Sequence, residues 1–172
     1  MYIVSACLLG ANCKYDGGNN DNEVVKDFCE GHKILAVCPE TAGGLKSPQP
    51  PAEQVCVPDA NGSEEAVMRV VNCKGEDVTE YFRRGAEICM EKVMAACGTP
   101  DQRNYEPPEL AILKANSPSC GSGCVYDGTF THTLVEGDGL FAELLKKAGI
   151  NVITEKDIEK TQNDQNIDKE QK

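Results

Sequence analysis

Tyr2-Ile3-Val4-Ser5-Ala6-Cys7 is a short apolar run that ends on a thiol, and the pattern returns twice. Lys33-Ile34-Leu35-Ala36-Val37-Cys38 is the second instance. Glu109-Leu110-Ala111-Ile112-Leu113-Lys114 is the third, running toward Ser117-Pro118-Ser119-Cys120. Short apolar runs bounded by Gly, Pro and polar residues read as buried strands. Strands are therefore expected over 2–6, 33–37 and 109–114, with a last one over 151–154.

Helical signals lie between them. Residues 22–30 form a short helix capped by Asn or Asp. Asp77-Val78-Thr79-Glu80 starts a longer one, with an acceptor side chain followed three residues later by Glu. That helix runs to about Cys97 and stops at Gly98. Phe82, Ala86, Cys89, Val93 and Cys97 make its apolar stripe. A further helix covers 140–148 and ends at Gly149. Residues 43–53, with Pro48, Pro50 and Pro51, are too rich in proline for a central strand. Residues 54–57 and 66–72 pair as a small hairpin around the turn Asp59–Gly62, and 99–108 is a polar loop.

Strands alternating with helices imply an α/β fold. The expectation is a three-layer, Rossmann-like, mostly parallel sheet with helices on both faces and a small β-hairpin insertion. The chain of 172 residues suits one domain, assigned to 1–154. Residues 155–172 are polar and charged and are expected to be a disordered tail.

The ten cysteines sort by position. In open α/β sheets, ligands bind beyond the carboxyl ends of the strands. Cys7, Cys38 and Cys120 all follow apolar strands, which delivers them to one sheet edge as a metal site. Thiolates suit zinc, copper(I) or an iron–sulfur cluster, and the spacing does not choose between these. Three thiolates leave one coordination position open, which is the mark of a catalytic centre. Cys13 is a fourth ligand, a redox thiol or a bystander. Cys124 is a minor ligand candidate. Cys89 and Cys97 belong to the core stripe, and Cys29, Cys56 and Cys73 have no site context.

Glu40 stands two residues after Cys38. It reads either as a general base or as a helix-start carboxylate. Ser117 either relays a proton or hydrogen-bonds its own turn. Lys114 either holds an anion or is solvated, and Asp16 and Asp127 read as turn residues. Of the two histidines, His32 is expected at the surface and His132 near the site.

A net charge of −11 opposes binding of a long nucleic acid. No apolar run is long enough to span a membrane. Residues 1–7 show no basic leader before a long apolar stretch, so a cytoplasmic location is expected. There is no Walker pattern and no G-x-G-x-x-G after a strand, which argues against nucleotide phosphates.

The motifs in order are Val4–Gly10, Cys13-Lys14-Tyr15-Asp16-Gly17, Cys38-Pro39-Glu40 with Gly43-Gly44-Leu45, Gly75–Thr79, Leu113-Lys114 with Ser117–Gly121, and Tyr126–Phe130. Together they resemble the 2-thiouracil desulfidase family over about residues 2–154. The resemblance implies a 4Fe–4S cluster held by Cys7, Cys38 and Cys120, with one iron free to take the sulfur of a small thiolated nucleobase. It implies Glu40 and Ser117 as the acid/base pair. The implied activity is non-redox conversion of 2-thiouracil to uracil and hydrogen sulfide, by a monomer or small homo-oligomer. Two positions depart from the family pattern. Gln49 stands where the proline-rich loop usually has Arg, which bears on substrate preference because Gln lacks charge and a bidentate fork. Lys14 replaces a common Arg. The rival reading is a non-catalytic zinc- or cluster-binding thiol sensor, closed by Cys13.

Overall fold

The computed structural model describes residues 1–58, 66–98, 103 and 105–161. Its centre is β1 (Tyr2–Ser5), whose successive side chains point to opposite faces, both of them buried. Ile3 joins one apolar cluster and Val4 another. β1 is flanked by β2 (Ile34–Val37) and by the third expected run, Leu110–Leu113, which is itself paired with Val152–Thr154. All these pairings are parallel. A parallel sheet needs cover on both sides, and the helices supply it.

On one face lie α3 (Thr79–Cys97) and α4 (Leu140–Lys147), with α1 (Glu23–Phe28) on the other and α2 (Pro39–Ala42) directly after β2. Phe82, Ala86, Cys89, Val93 and Cys97 are all buried, as the stripe predicts. Helix α1 begins where Asn22 Oδ1 accepts the backbone N–H of Val25 at 3.1 Å. Beside this α/β body lies an antiparallel hairpin, β3 (Ala52–Pro58) with β4 (Ala66–Asn72). Its expected turn at 59–62 lies outside the described residues. The strands at Leu110–Leu113 and Val152–Thr154 are β5 and β8.

Two features differ from expectation. A second hairpin, β6 (Cys124–Tyr126) with β7 (Leu134–Glu136), occupies the Gly- and Asp-rich stretch. Three-residue strands are too short to show a period. The second difference concerns the tail. Residues 155–161 are helical rather than disordered. Asp157 accepts both the N–H and the hydroxyl of Thr154 at 2.7 Å, so its carboxylate reaches back to the start of the helix as the acidic half of a capping box does. Ile158 then packs in the cluster with Val4 and Ile112. One apolar residue at the right phase suffices to dock the turn. The rest of the predicted tail, 162–172, lies outside the described residues.

Candidate active site

The register pairs Ser5 with Val37 across β1 and β2, and Val4 with Ile112 across β1 and β5. The three strands therefore end at the same level. The chain proceeds from β1 to β2 on one side and later to β5 on the other, so a crevice opens at the carboxyl ends where the order reverses. A cavity of about 290 Å³ occupies that place.

Cys7, Cys13, Cys38 and Cys120 all line it. Cys7 sits in the 3₁₀ turn Ala6–Leu9, which Gly10 ends at φ 87°. Cys38 is the residue before α2, whose first turn is set by Pro39. Cys120 is not at a strand end: it lies on the turn 117–121, seven residues beyond Leu113. That turn is folded back by Ser117 Oγ, which accepts the N–H groups of Ser119 and Cys120 at 3.1 and 3.3 Å. The start of α4 clamps it further. Leu140 N and Phe141 N donate to the carbonyls of Pro118 and Ser119 at 3.1 and 2.9 Å. Gly139 packs so closely there that a Cβ would fall 2.6 Å from Cys120 N.

The thiols are not equivalent. Hydrogen bonds from Cys13 hold the Cys7 and Cys38 thiols below the usual range. Those same bonds keep the proton on Cys13 and push its own value far up. Burial pushes Cys120 well above the ordinary thiol value, partly offset by a hydrogen bond with Ser5. Ser5, unmarked in the sequence reading, also accepts Lys114 N at 3.0 Å and so joins β5 to the site. Among the described residues, no three His, Cys, Asp or Glu side chains are disposed to hold a single metal ion. Zinc needs its ligands gathered around one point. In a cluster each thiolate binds its own iron. Four thiols distributed around one cavity fit a cluster.

Glu40 lines the same cavity from the first turn of α2. Both its oxygens are held. Gln49 Nε2 donates to Oε2 at 2.8 Å and Ser119 Oγ donates to Oε1 at 3.3 Å. Burial, aided by the nearby Cys38, raises this carboxyl to about 7. Gln49 thus occupies the place of the expected Arg as a neutral donor. Its loop is sewn to Tyr15 by Gln49 N and to Lys14 by Ser47 Oγ, at 2.7 and 2.6 Å.

The other expected residues divide cleanly. Ser117 lines the cavity, but the hydroxyl that reaches Glu40 belongs to Ser119. Only the fold of the turn distinguishes these two serines. Lys114 lines the cavity and is paired with buried Glu155, which also accepts Ala115 N at 2.7 Å. His132 reaches the cavity, edge-on to Tyr126 at 5.9 Å. His32 instead stacks on Tyr2 at 3.9 Å and takes no part in the site. Asp16 and Asp127 are turn acceptors for Gly18 and Thr129. Cys29, Cys89 and Cys97 are buried in the core, whereas Cys56, Cys73 and Cys124 are exposed.

Comparison with known proteins gives the family of this chain. The family model described as 2-thiouracil desulfurase matches residues 2–157. The uncharacterized protein YbbK of Bacillus subtilis (strain 168) is 37% identical over 162 residues, spanning 92% of this chain and 97% of that protein. The solved structure of the 4Fe–4S-dependent thiouracil desulfidase TudS superposes with a TM-score of 0.70. It is 36% identical and covers 96% of this chain and 97% of its own. With that family's model matched along nearly its whole length, the chain belongs to the 2-thiouracil desulfurase family.

Proposed function

We propose that this chain is a desulfidase that converts a thiolated pyrimidine to its oxo form, with Cys7, Cys38 and Cys120 holding a 4Fe–4S cluster. The observation that carries the reading is the meeting of these thiols with the Glu40 carboxyl in one cavity at the sheet's carboxyl edge. The net reaction consumes one water. Its oxygen replaces sulfur on the carbon, its two protons leave with sulfur as hydrogen sulfide, and no electrons are exchanged. The chemistry supplied by such a cluster is Lewis acidity toward the thiocarbonyl sulfur, at the iron that no cysteine holds.

The chain's own residues do the rest. Glu40 takes a proton from the attacking water, its carboxylate aimed by Gln49 and Ser119. Ser117 uses its oxygen to accept two backbone N–H groups, which leaves its hydroxyl proton to donate toward a ring nitrogen. The low-dielectric cavity strengthens each of these interactions.

The wider reading is a cytoplasmic monomer or small homo-oligomer acting on a free thiolated base. The charge of −11 opposes a long nucleic acid, and no described helix is long and apolar enough to cross a membrane. Residues 1–154 form the single cluster-binding domain of this reading, with 155–161 packed against it.

Cys13 is the observation that favours the sensor reading, since a fourth thiol in the cavity could close the centre. Anaerobic reconstitution tests both. The enzyme reading expects about four irons per chain and sulfide release from 2-thiouracil. Cys7→Ala, Cys38→Ala and Cys120→Ala each lose the iron, and Cys13→Ala keeps it. One zinc per chain with no sulfide release supports the sensor.

A further inference from the structure

The cavity has an acidic wall that the desulfidation reading leaves idle. Glu53, near the start of β3, lines the cavity and is only 7% exposed. One of its oxygens is fully engaged: Oε2 accepts Gly128 N at 2.9 Å and Phe130 N at 3.0 Å. Oε1 accepts nothing from the described residues, and none of them has a buried side-chain oxygen left without a partner. Oε1 is thus free of described donors on a residue that lines the cavity.

The loop that Glu53 holds is held against its own preference. Phe130 and His132 adopt φ 58° and 63°, the left-handed region that bulky residues avoid. Such strain persists where the surroundings over-determine it, and it collects at ligand sites. Gly128 has φ 87°, and a Cβ there would lie 2.1 Å from Val55 Cγ1, so the loop lies tight on β3. Its two ends bring Tyr126 and His132 to the same cavity, in edge-to-face contact. A flat ring has an aromatic wall beside a carboxylate acceptor.

Resting on the thiouracil reading, we infer that Glu53 is a specificity-determining residue, whose Oε1 accepts a ring N–H of the base while Oε2 fixes the loop that carries His132. 2-Thiouracil presents an N–H on either side of its thiocarbonyl carbon. Glu40 is committed to the attacking water in this reading, and each of its oxygens already accepts one side-chain hydrogen bond, from Gln49 and Ser119. Glu53 is the carboxylate with an oxygen to spare. The substrate class is then a base with an unsubstituted N–H next to the thiocarbonyl, and alkylation of that nitrogen removes the recognised group.

The test uses Glu53→Gln in the cluster-loaded enzyme. The amide is isosteric. Its oxygen can keep both backbone N–H bonds, which turns its NH₂ toward the cavity as a donor facing a donor. A hydrogen bond to a charged group is worth about 10- to 100-fold in binding. The variant should keep its Tm and iron content while kcat/KM for 2-thiouracil falls by about that factor, mostly through KM. Wild type should lose a similar factor on either 1-methyl- or 3-methyl-2-thiouracil, and this penalty should shrink in Glu53→Gln. Uracil binding by calorimetry is the second readout and should weaken about 10-fold or more in the variant.

Equal uracil affinity in wild type and variant overturns the inference. So does wild-type turnover of both methylated bases at the rate of the parent, a result that needs no variant at all. If wild type releases no sulfide from any thiouracil, the desulfidation reading falls, and the uracil measurement still decides the role of Glu53.

Discussion

Replacing Gly85 by Ala tests whether backbone contact between two helices sets the position of Cys38 and Glu40. Helix α2 carries Pro39 and Glu40 and rests on α3 at two glycines. A Cβ on Gly85 would stand 1.9 Å from the Pro39 carbonyl oxygen and 2.7 Å from its carbon. A Cβ on Gly43 would stand 1.9 Å from the Tyr81 carbonyl oxygen. The atoms opposed are backbone, so no side chain can rotate out of the way. Restoring an ordinary contact requires α2 to retreat by about 1.5 Å, and overpacking that moves backbone costs about 3 kcal/mol. For a domain of this size that lowers Tm by roughly 6–12 °C. The same retreat displaces Glu40 from its partners, and a misplacement of about 1 Å costs about 100-fold in rate. Thermal unfolding followed by circular dichroism, with sulfide release and iron content on the same preparations, measures all three effects. Gly149→Ala is the control. Its φ is 77°, but no atom lies within 4 Å of the added methyl. It should lose about 1–2 kcal/mol to strain and leave kcat/KM unchanged. A Gly85→Ala protein with wild-type Tm refutes the packing argument. One with lowered Tm but full activity refutes the link between α2 and the site.

Lys114→Met leaves Glu155 buried and unpaired, a loss of about 3–5 kcal/mol in denaturant unfolding, and adding Glu155→Gln should recover much of it. The pH profile of kcat/KM should rise through about pH 7, because Glu40 acts deprotonated and burial raises its carboxyl to about 7. Gln49→Arg puts a guanidinium on the same carboxylate and should move that limb to lower pH; an unmoved limb means Glu40 is not the group observed. The stability effect of Glu40 has the opposite sense. The fold prefers it neutral, so its contribution is complete below the ordinary 4.5 and lost as pH rises through about 7. In the cluster-free protein, Glu40→Gln should flatten the fall of Tm across that window.

The parallel sheet was legible because its strands are apolar on both faces: Ile3 and Val4, or Ala111 and Ile112, face opposite cores and need no alternation with polar residues. The stripe on α3 was legible because helical spacing is a local property. Cys7 and Cys38 were legible because strand ends share an edge, whereas Cys120 reaches that edge from a turn seven residues beyond β5. Less visible was the helix at 155–161, although Thr154-x-x-Asp157 is its local start signal. Composition outweighed the cap there, and a single docked isoleucine outweighed composition.

The sequence by itself pointed to the chemical groups at the carboxyl edge: the thiols of Cys7, Cys38 and Cys120, with the part of Cys13 left open, the Glu40 carboxyl and Ser117. Only the tertiary structure decided how they are used. It set Ser119 rather than Ser117 against Glu40, inserted Cys13 between Cys7 and Cys38, and turned Glu53 from a hairpin residue into a cavity wall. The physical reason is range. Strand, helix and cap signals are written in neighbouring residues. The direction of a side chain on a turn is set by elements dozens of residues away, such as the α4 N–H groups that hold the Cys120 turn and the Pro39–Gly85 contact that seats Glu40.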